Sequence, residues 1–232
     1  MVAIALQTRI VILRKRAPKM KPSLWPWFAL VLLGAWHGLN PAMGWLFSVA
    51  LGLQRKSRAA VFQALLPIAL GHAISIGIFA LAISVLSISV PIIFLRFGCG
   101  IILLALACYK LFRGRHPTWV GMQVNFRDLT GWSLIMATAH GAGLMIVPVF
   151  LGMNASFCGT LPQSVQPSID PMNLIGMISV HTLSHLFMSG LLASIVFEVA
   201  GLAILRRSWI NLDLIWSSTL LVTAVALFVV PM

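Results

Sequence analysis

Six apolar stretches, each long enough to cross a bilayer, occupy almost everything after residue 23. They run 24–53, 61–87, 90–112, 129–151, 172–203 and 210–231. A helix needs about 20 apolar residues to span the hydrocarbon core. In lipid, backbone N–H and C=O groups must be satisfied within the segment, so such runs fold as helices. The reading is an all-α membrane protein with about six transmembrane helices. It forms a single membrane domain over 24–232 behind a basic tail at 1–23. Charged residues make up 9% of the chain, against roughly 25% in a soluble domain. So few charges cannot cover a surface for water, but they can cover one for lipid.

The charges that remain are almost all positive: 16 Lys+Arg against 4 Asp+Glu, a formal +12. In a soluble chain this excess would point to nucleic acid. Here the cations sit in tails and loops, so membrane topology and anionic lipid headgroups explain them better. The bilayer is the expected partner and nucleic acid is not; the sequence leaves a homo-oligomer open. Connection 54–60 carries Arg55, Lys56 and Arg58, connection 113–128 carries Arg113, Arg115 and Arg127, and connection 204–209 carries Arg206 and Arg207. Connections 88–89 and 152–171 carry no Lys or Arg. The basic side is expected to be cytoplasmic, giving a multi-pass protein of the cell (inner) membrane. Six spans then put the basic tail outside, against the same rule, unless 24–53 is re-entrant. Trp25, Trp27, Trp119, Trp132, Trp209 and Trp216 lie near span ends and read as interfacial belts. Arg96, early in span 3, is expected to snorkel outward. The tail's apolar patches are too short to span, and no small-residue cleavage pattern marks a signal peptide.

The first and second halves share a pattern. Span 1 contains AWHGLNPAMGWLF and span 4 contains ATAHGAGLMIVPVF. Each has a small residue shortly before His-Gly, then a break bearing Gly or Pro. Span 2 contains ALGHAISIGIFAL and span 5 contains SVHTLSHLFMSGLL, each with a His followed three residues later by Ser. His37 and His140 correspond at a separation of 103, and His72 and His181 at 109. Three spans per unit is an odd number, so the halves 24–112 and 129–231 would be inverted in the membrane. A 3+3 inverted repeat with broken helices 1 and 4 is a transporter plan, with the site near the midplane.

Five of the six histidines (His37, His72, His140, His181 and His185) fall inside these spans. Ionisable groups in a membrane interior are costly and mark cavities, partners or pathways. One buried histidine reads as helix–helix glue, but five read as a shared site. His181 and His185, at i and i+4, share one helix face and can bind one metal ion. Asn40 lies one turn after His37, and Pro41 frees backbone carbonyls there. Met43 and Met145 follow the two His-Gly motifs. Ser75 and Ser184 sit beside histidines, and all four residues are candidates for substrate contact alongside Asn40. Imidazole suits Ni, Co, Zn and Cu, and thioether favours Cu(I). Methionine in an apolar span is otherwise packing.

Carboxylates are nearly absent from this set. Glu198 and Asp213 are expected to pair with Arg206 and Arg207 or to sit at the interface. Their scarcity argues against a di-iron oxidase and against a hydrolytic metal site. No GxSxG elbow supports a serine hydrolase. Cys99 and Cys108, nine residues apart, point to opposite helix faces, Cys158 lies in a loop, and no CxxC is present.

The stretch 36–79, WHGLNPAMGWLFSVALGLQRKSRAAVFQALLPIALGHAISIGIF, resembles the first half of the NicO-like nickel/cobalt exporters within the LysE-type transporter superfamily. His37, Pro41, Gly44, Gly71, His72 and Ser75 match the motif residues of that family. Met43 stands where the family has its second motif histidine. The resemblance implies a three-plus-three inverted fold and metal export. The expected function is a secondary transporter, without an ATP site, moving a transition-metal cation or a small solute through a histidine-lined site. The alternatives are a membrane redox protein holding haem or copper on its histidines, and a non-transporting scaffold or assembly factor. No resident cofactor is expected with certainty.

Overall fold

A computed structural model of the chain describes residues 24–113, 125–150, 171–200 and 212–229. The tail 1–23, most of connections 113–128 and 204–209, Cys158 and the loop around it, Trp119, Trp209, Arg206 and Arg207 lie outside the described residues. The described residues are helical throughout, apart from turns, and contain no strand.

The order is α1 (Trp25–Leu39), a 3-10 turn (Pro41–Met43), α2 (Trp45–Arg55), α3 (Arg58–Ser89), α4 (Ile92–Arg113), α5 (Phe126–Ala139), α6 (Ala142–Met145), α7 (Pro171–Ile195) and α8 (Leu212–Val229). A further turn extends α6 to Phe150. A π-helical turn, Val196–Ala200, extends α7. Three helices are long and apolar enough to cross a membrane: Arg58–Ser89, Ile92–Phe112 and Pro171–Val199. The pair Phe126–Ala139 and Ala142–Phe150 adds a fourth if it counts as one span bent by 51°. Large apolar side chains on these helices face outward, among them Phe94 and Phe187. This is a surface suited to lipid, and the chain is a helical membrane protein.

The first break falls at Asn40–Gly44, where the sequence placed it; the second falls at the His140-Gly141 pair itself rather than after it, and the chemistry of both is local. Pro41 cannot donate a helical bond, so α1 stops. The Asn40 side chain accepts from the Ala42 N–H and starts the 3-10 turn. Gly44 then takes φ 111°, a left-handed value that a side chain would oppose, and α2 restarts behind it. In the other half α5 ends at His140 and Gly141 takes φ 70° before α6. At its start α5 has a reciprocal cap between Asn125 and Asp128.

The most extensive helix pairings are α1 with α7, α3 with α5, and α4 with α8. Helix α3 also packs on α2 and α7. The contacts are close because small residues meet backbone. A side chain at Gly34 would overlap the His181 carbonyl, and one at Gly71 the Thr130 carbonyl. Serines add bonds across the same seams: Ser184 Oγ donates to the Val31 carbonyl at 2.6 Å, and Ser133 Oγ to the Ile68 carbonyl at 2.6 Å. Van der Waals packing and such bonds hold helices together in lipid, where the hydrophobic effect between helices is absent.

Several sequence expectations change here. Trp132 and Trp216 are buried rather than interfacial. Each lies on a helix face turned to the bundle, and for Trp216 an interior carbonyl satisfies the indole N–H. Arg96 donates from Nε to the Leu227 carbonyl on α8. Glu198 pairs with Arg58 at 3.1 Å. Cys99 is buried and Cys108 exposed, as their opposite faces require.

Candidate histidine site

Four of the five span histidines meet in one cluster. His37 comes from α1, His72 from α3, and His181 and His185 from successive turns of α7. All four side chains are fully buried. Ring centroids lie 5.1 Å apart for His37 and His181, 5.6 Å for His37 and His72, and 5.5 Å for His72 and His181. His72 and His185 stack at 4.1 Å with their planes 9° apart. The glycines of α1 make this possible: without side chains at Gly34 and Gly38, α1 approaches the His181 and His185 carbonyls closely enough to bring His37 among the other rings.

His37 Nδ1 lies 2.7 Å from the Leu33 carbonyl. A carbonyl only accepts, so Nδ1 carries the proton and the neutral ring presents its lone pair at Nε2. Nε2 has no hydrogen-bond partner, and neither do the ring nitrogens of His72 and His185. His181 lies against the Leu30 carbonyl. Buried polar atoms are ordinarily satisfied, so a group of unsatisfied imidazole nitrogens is a departure that calls for a ligand or a proton. Among the described residues no carboxylate accompanies them, and no three His, Cys, Asp or Glu side chains already surround a single point. Stacked rings direct their lone pairs side by side, so binding one ion requires the rings to turn about χ2.

His140 is buried but stands apart from the four. Its Nδ1 lies 2.8 Å from the Met136 carbonyl, the same bond to the fourth residue back that His37 makes. Trp216 separates the two histidines. Its indole lies 4.9 Å from His37 and 5.5 Å from His140, edge-on to both. Its Nε1 donates to the His140 carbonyl at 3.0 Å, at the break between α5 and α6. Trp216 is the component of the site that sequence reading missed. Its place in an apolar run near a span end gave no signal, because the relevant face of α8 is defined only by packing on the other half.

The five substrate candidates have local work. Asn40 caps the 3-10 turn. Ser75 and Thr138 share a hydroxyl bond of 2.9 Å between α3 and α5, and Ser184 holds α7 to α1. Met43 and Met145 are buried in the main apolar core with Leu30, Leu103 and Leu220.

No protein-family model matches the chain. No curated protein matches it, and no solved structure does.

Proposed function

We propose that the chain is a multi-pass transporter of the inner membrane that passes a transition-metal cation through the His37–His72–His181–His185 cluster. The observation that carries this reading is the meeting of four fully buried imidazoles from three helices, with ring nitrogens lacking partners. Neutral imidazole is a ligand for Ni, Co, Zn and Cu. Centroid separations of 4.1–5.6 Å bring the four rings within reach of one ion once they turn about χ2, and leave no space for an organic solute. The same spacing disfavours haem, because two axial imidazoles on opposite faces of a macrocycle cannot stack at 4.1 Å. With no carboxylate at the cluster among the described residues, the histidines themselves would carry protons in exchange for the ion.

Six spans in a 3+3 inverted repeat form part of this reading. Exchanging spans 1 with 4, 2 with 5 and 3 with 6 turns the α1–α7 pairing into α5–α3 and leaves α4–α8 unchanged, so the observed pairings fit a two-fold relation. His37 and His140 make the same backbone bond, and both broken spans resume behind a left-handed glycine. The likeness to NicO-like exporters rests on the motif residues of 36–79.

The test is elemental analysis and absorbance of the purified protein after exposure to Ni, Co, Zn or Cu. About one equivalent of metal per chain is expected, lost in His72→Ala and His185→Ala. A Soret band, or no metal retained from any of the four ions, overturns the reading.

A further inference from the structure

Helices α3 and α7 run antiparallel, and on their outward side they part to form an apolar groove of about 550 Å³. Phe62 and Leu66 make one wall, Phe187 and Leu191 the other, and all four are exposed. The floor is Leu65 over Gly190, where the missing side chain supplies the depth. A substituent on Gly190 would touch Leu65 at 3.4 Å.

The groove has a polarity along its length. Arg58 lies one turn before Phe62, on the same face of α3, and Glu198 lies one turn after Ser194, a lining residue of α7. The Arg58–Glu198 pair, at 3.1 Å and well exposed on both sides, closes that end. Arg55 and Lys56, three and two residues before Arg58 in the chain, are exposed as well. Next inward comes Gln63, the one amide in the lining, and beyond it only hydrocarbon. Cation, then amide, then apolar slot is the order of groups that complements phosphate, then ester, then acyl chain.

We propose that this groove binds one phospholipid with an anionic headgroup. Its phosphate would sit at Arg58 with Arg55 and Lys56, its ester carbonyls at Gln63, and one acyl chain over Leu65 and Gly190. The charge at the mouth selects an anionic lipid over a zwitterionic one, and Glu198 competes with that lipid for Arg58. The inference is independent of the histidine site, since none of these residues belongs to it.

Native mass spectrometry of the full-length protein in mild detergent, with added phosphatidylglycerol or phosphatidylcholine, tests it. One phosphatidylglycerol should be retained in preference to phosphatidylcholine. Arg58→Gln should lower that preference roughly fivefold, the contribution of one basic residue at an anionic surface. Glu198→Gln should raise it. Leu66→Trp, at an exposed position that leaves the core intact, should fill the slot and reduce retention of both lipids. Equal retention of the two lipids by the native protein overturns the proposal. So does a Leu66→Trp protein that keeps phosphatidylglycerol unchanged, or a dimer seated on the groove in place of lipid.

Discussion

Gly38→Ala places the strain on the contact that assembles the histidines. A β-carbon at residue 38 would stand 2.6 Å from the His185 carbonyl oxygen and 2.8 Å from Met188 Cβ. Backbone cannot swing away as a side chain can. To reach ordinary contact near 3.5 Å, α1 and α7 must part by roughly 0.9 Å. The Ser189 hydroxyl, which donates to the Gly38 carbonyl at 3.3 Å, would then lose its bond. Overpacking costs about 1–3 kcal/mol, and an interhelical bond in a membrane about 0.6 kcal/mol. Alanine returns up to about 1 kcal/mol through helix propensity. The net expectation is a loss of about 2 kcal/mol, measured by denaturing-detergent titration followed by tryptophan fluorescence. Gly98→Ala is the control, since a side chain there meets nothing within 4 Å; it should be neutral or slightly stabilising. His185 moves with its carbonyl, so Gly38→Ala should also lose bound metal. If it unfolds at the same detergent ratio as Gly98→Ala, the close approach of α1 and α7 does not hold the cluster together and the reasoning is refuted.

Other outcomes follow from the same geometry. His140→Ala should keep most of the bound metal while His72→Ala loses it, because His140 lies outside the four; equal losses in a metal assay would contradict the placement of Trp216 between them. Trp216→Phe retains an aromatic ring but removes the donor to the His140 carbonyl, and should cost about 1–3 kcal/mol in the detergent titration. Cu(II) at the cluster should quench Trp216 strongly, since the indole lies 4.9 Å from His37, so the fluorescence lost on adding Cu(II) should shrink in Trp216→Phe. Metal bound by imidazole is displaced by protons, so retention should fall on acidification; retention that persists in acid strong enough to protonate the buried imidazoles of the folded protein would exclude histidine ligation.

Much of this architecture was legible in the sequence for physical reasons. Apolar runs near 20 residues have few alternatives to helix in lipid, so most helices lie close to the expected ranges. Asn40-Pro41 announced its break because proline acts locally; the second break came earlier than the stretch the sequence marked, at Gly141, because that glycine takes the left-handed turn. The histidine cluster could be anticipated because the cost of burying imidazoles demands a common reason. Which four of the five would meet was not legible. His37 and His140 have equivalent local sequences, and what separates them is Trp216, delivered by α8 from a distant part of the chain. The ion pair was also hidden: Arg58 and Glu198 are 140 positions apart, and only the antiparallel packing of α3 on α7 brings their ends together.

The crosswise pairing of helices has a consequence for how the protein is made. The principal partner of α1 is α7, that of α3 is α5, and that of α4 is α8. Each early helix therefore waits for a later one. A ribosome that has released residues 1–113 has delivered His37 and His72 into the bilayer without the helix that carries His181 and His185. Residues 24–113 on their own would have their polar seams open to lipid or to insertion chaperones, and the bundle would close when its C-terminal helices arrive. Late, cooperative assembly is the expectation from these pairings, and a truncation after α4 should be cleared by membrane proteases rather than persist.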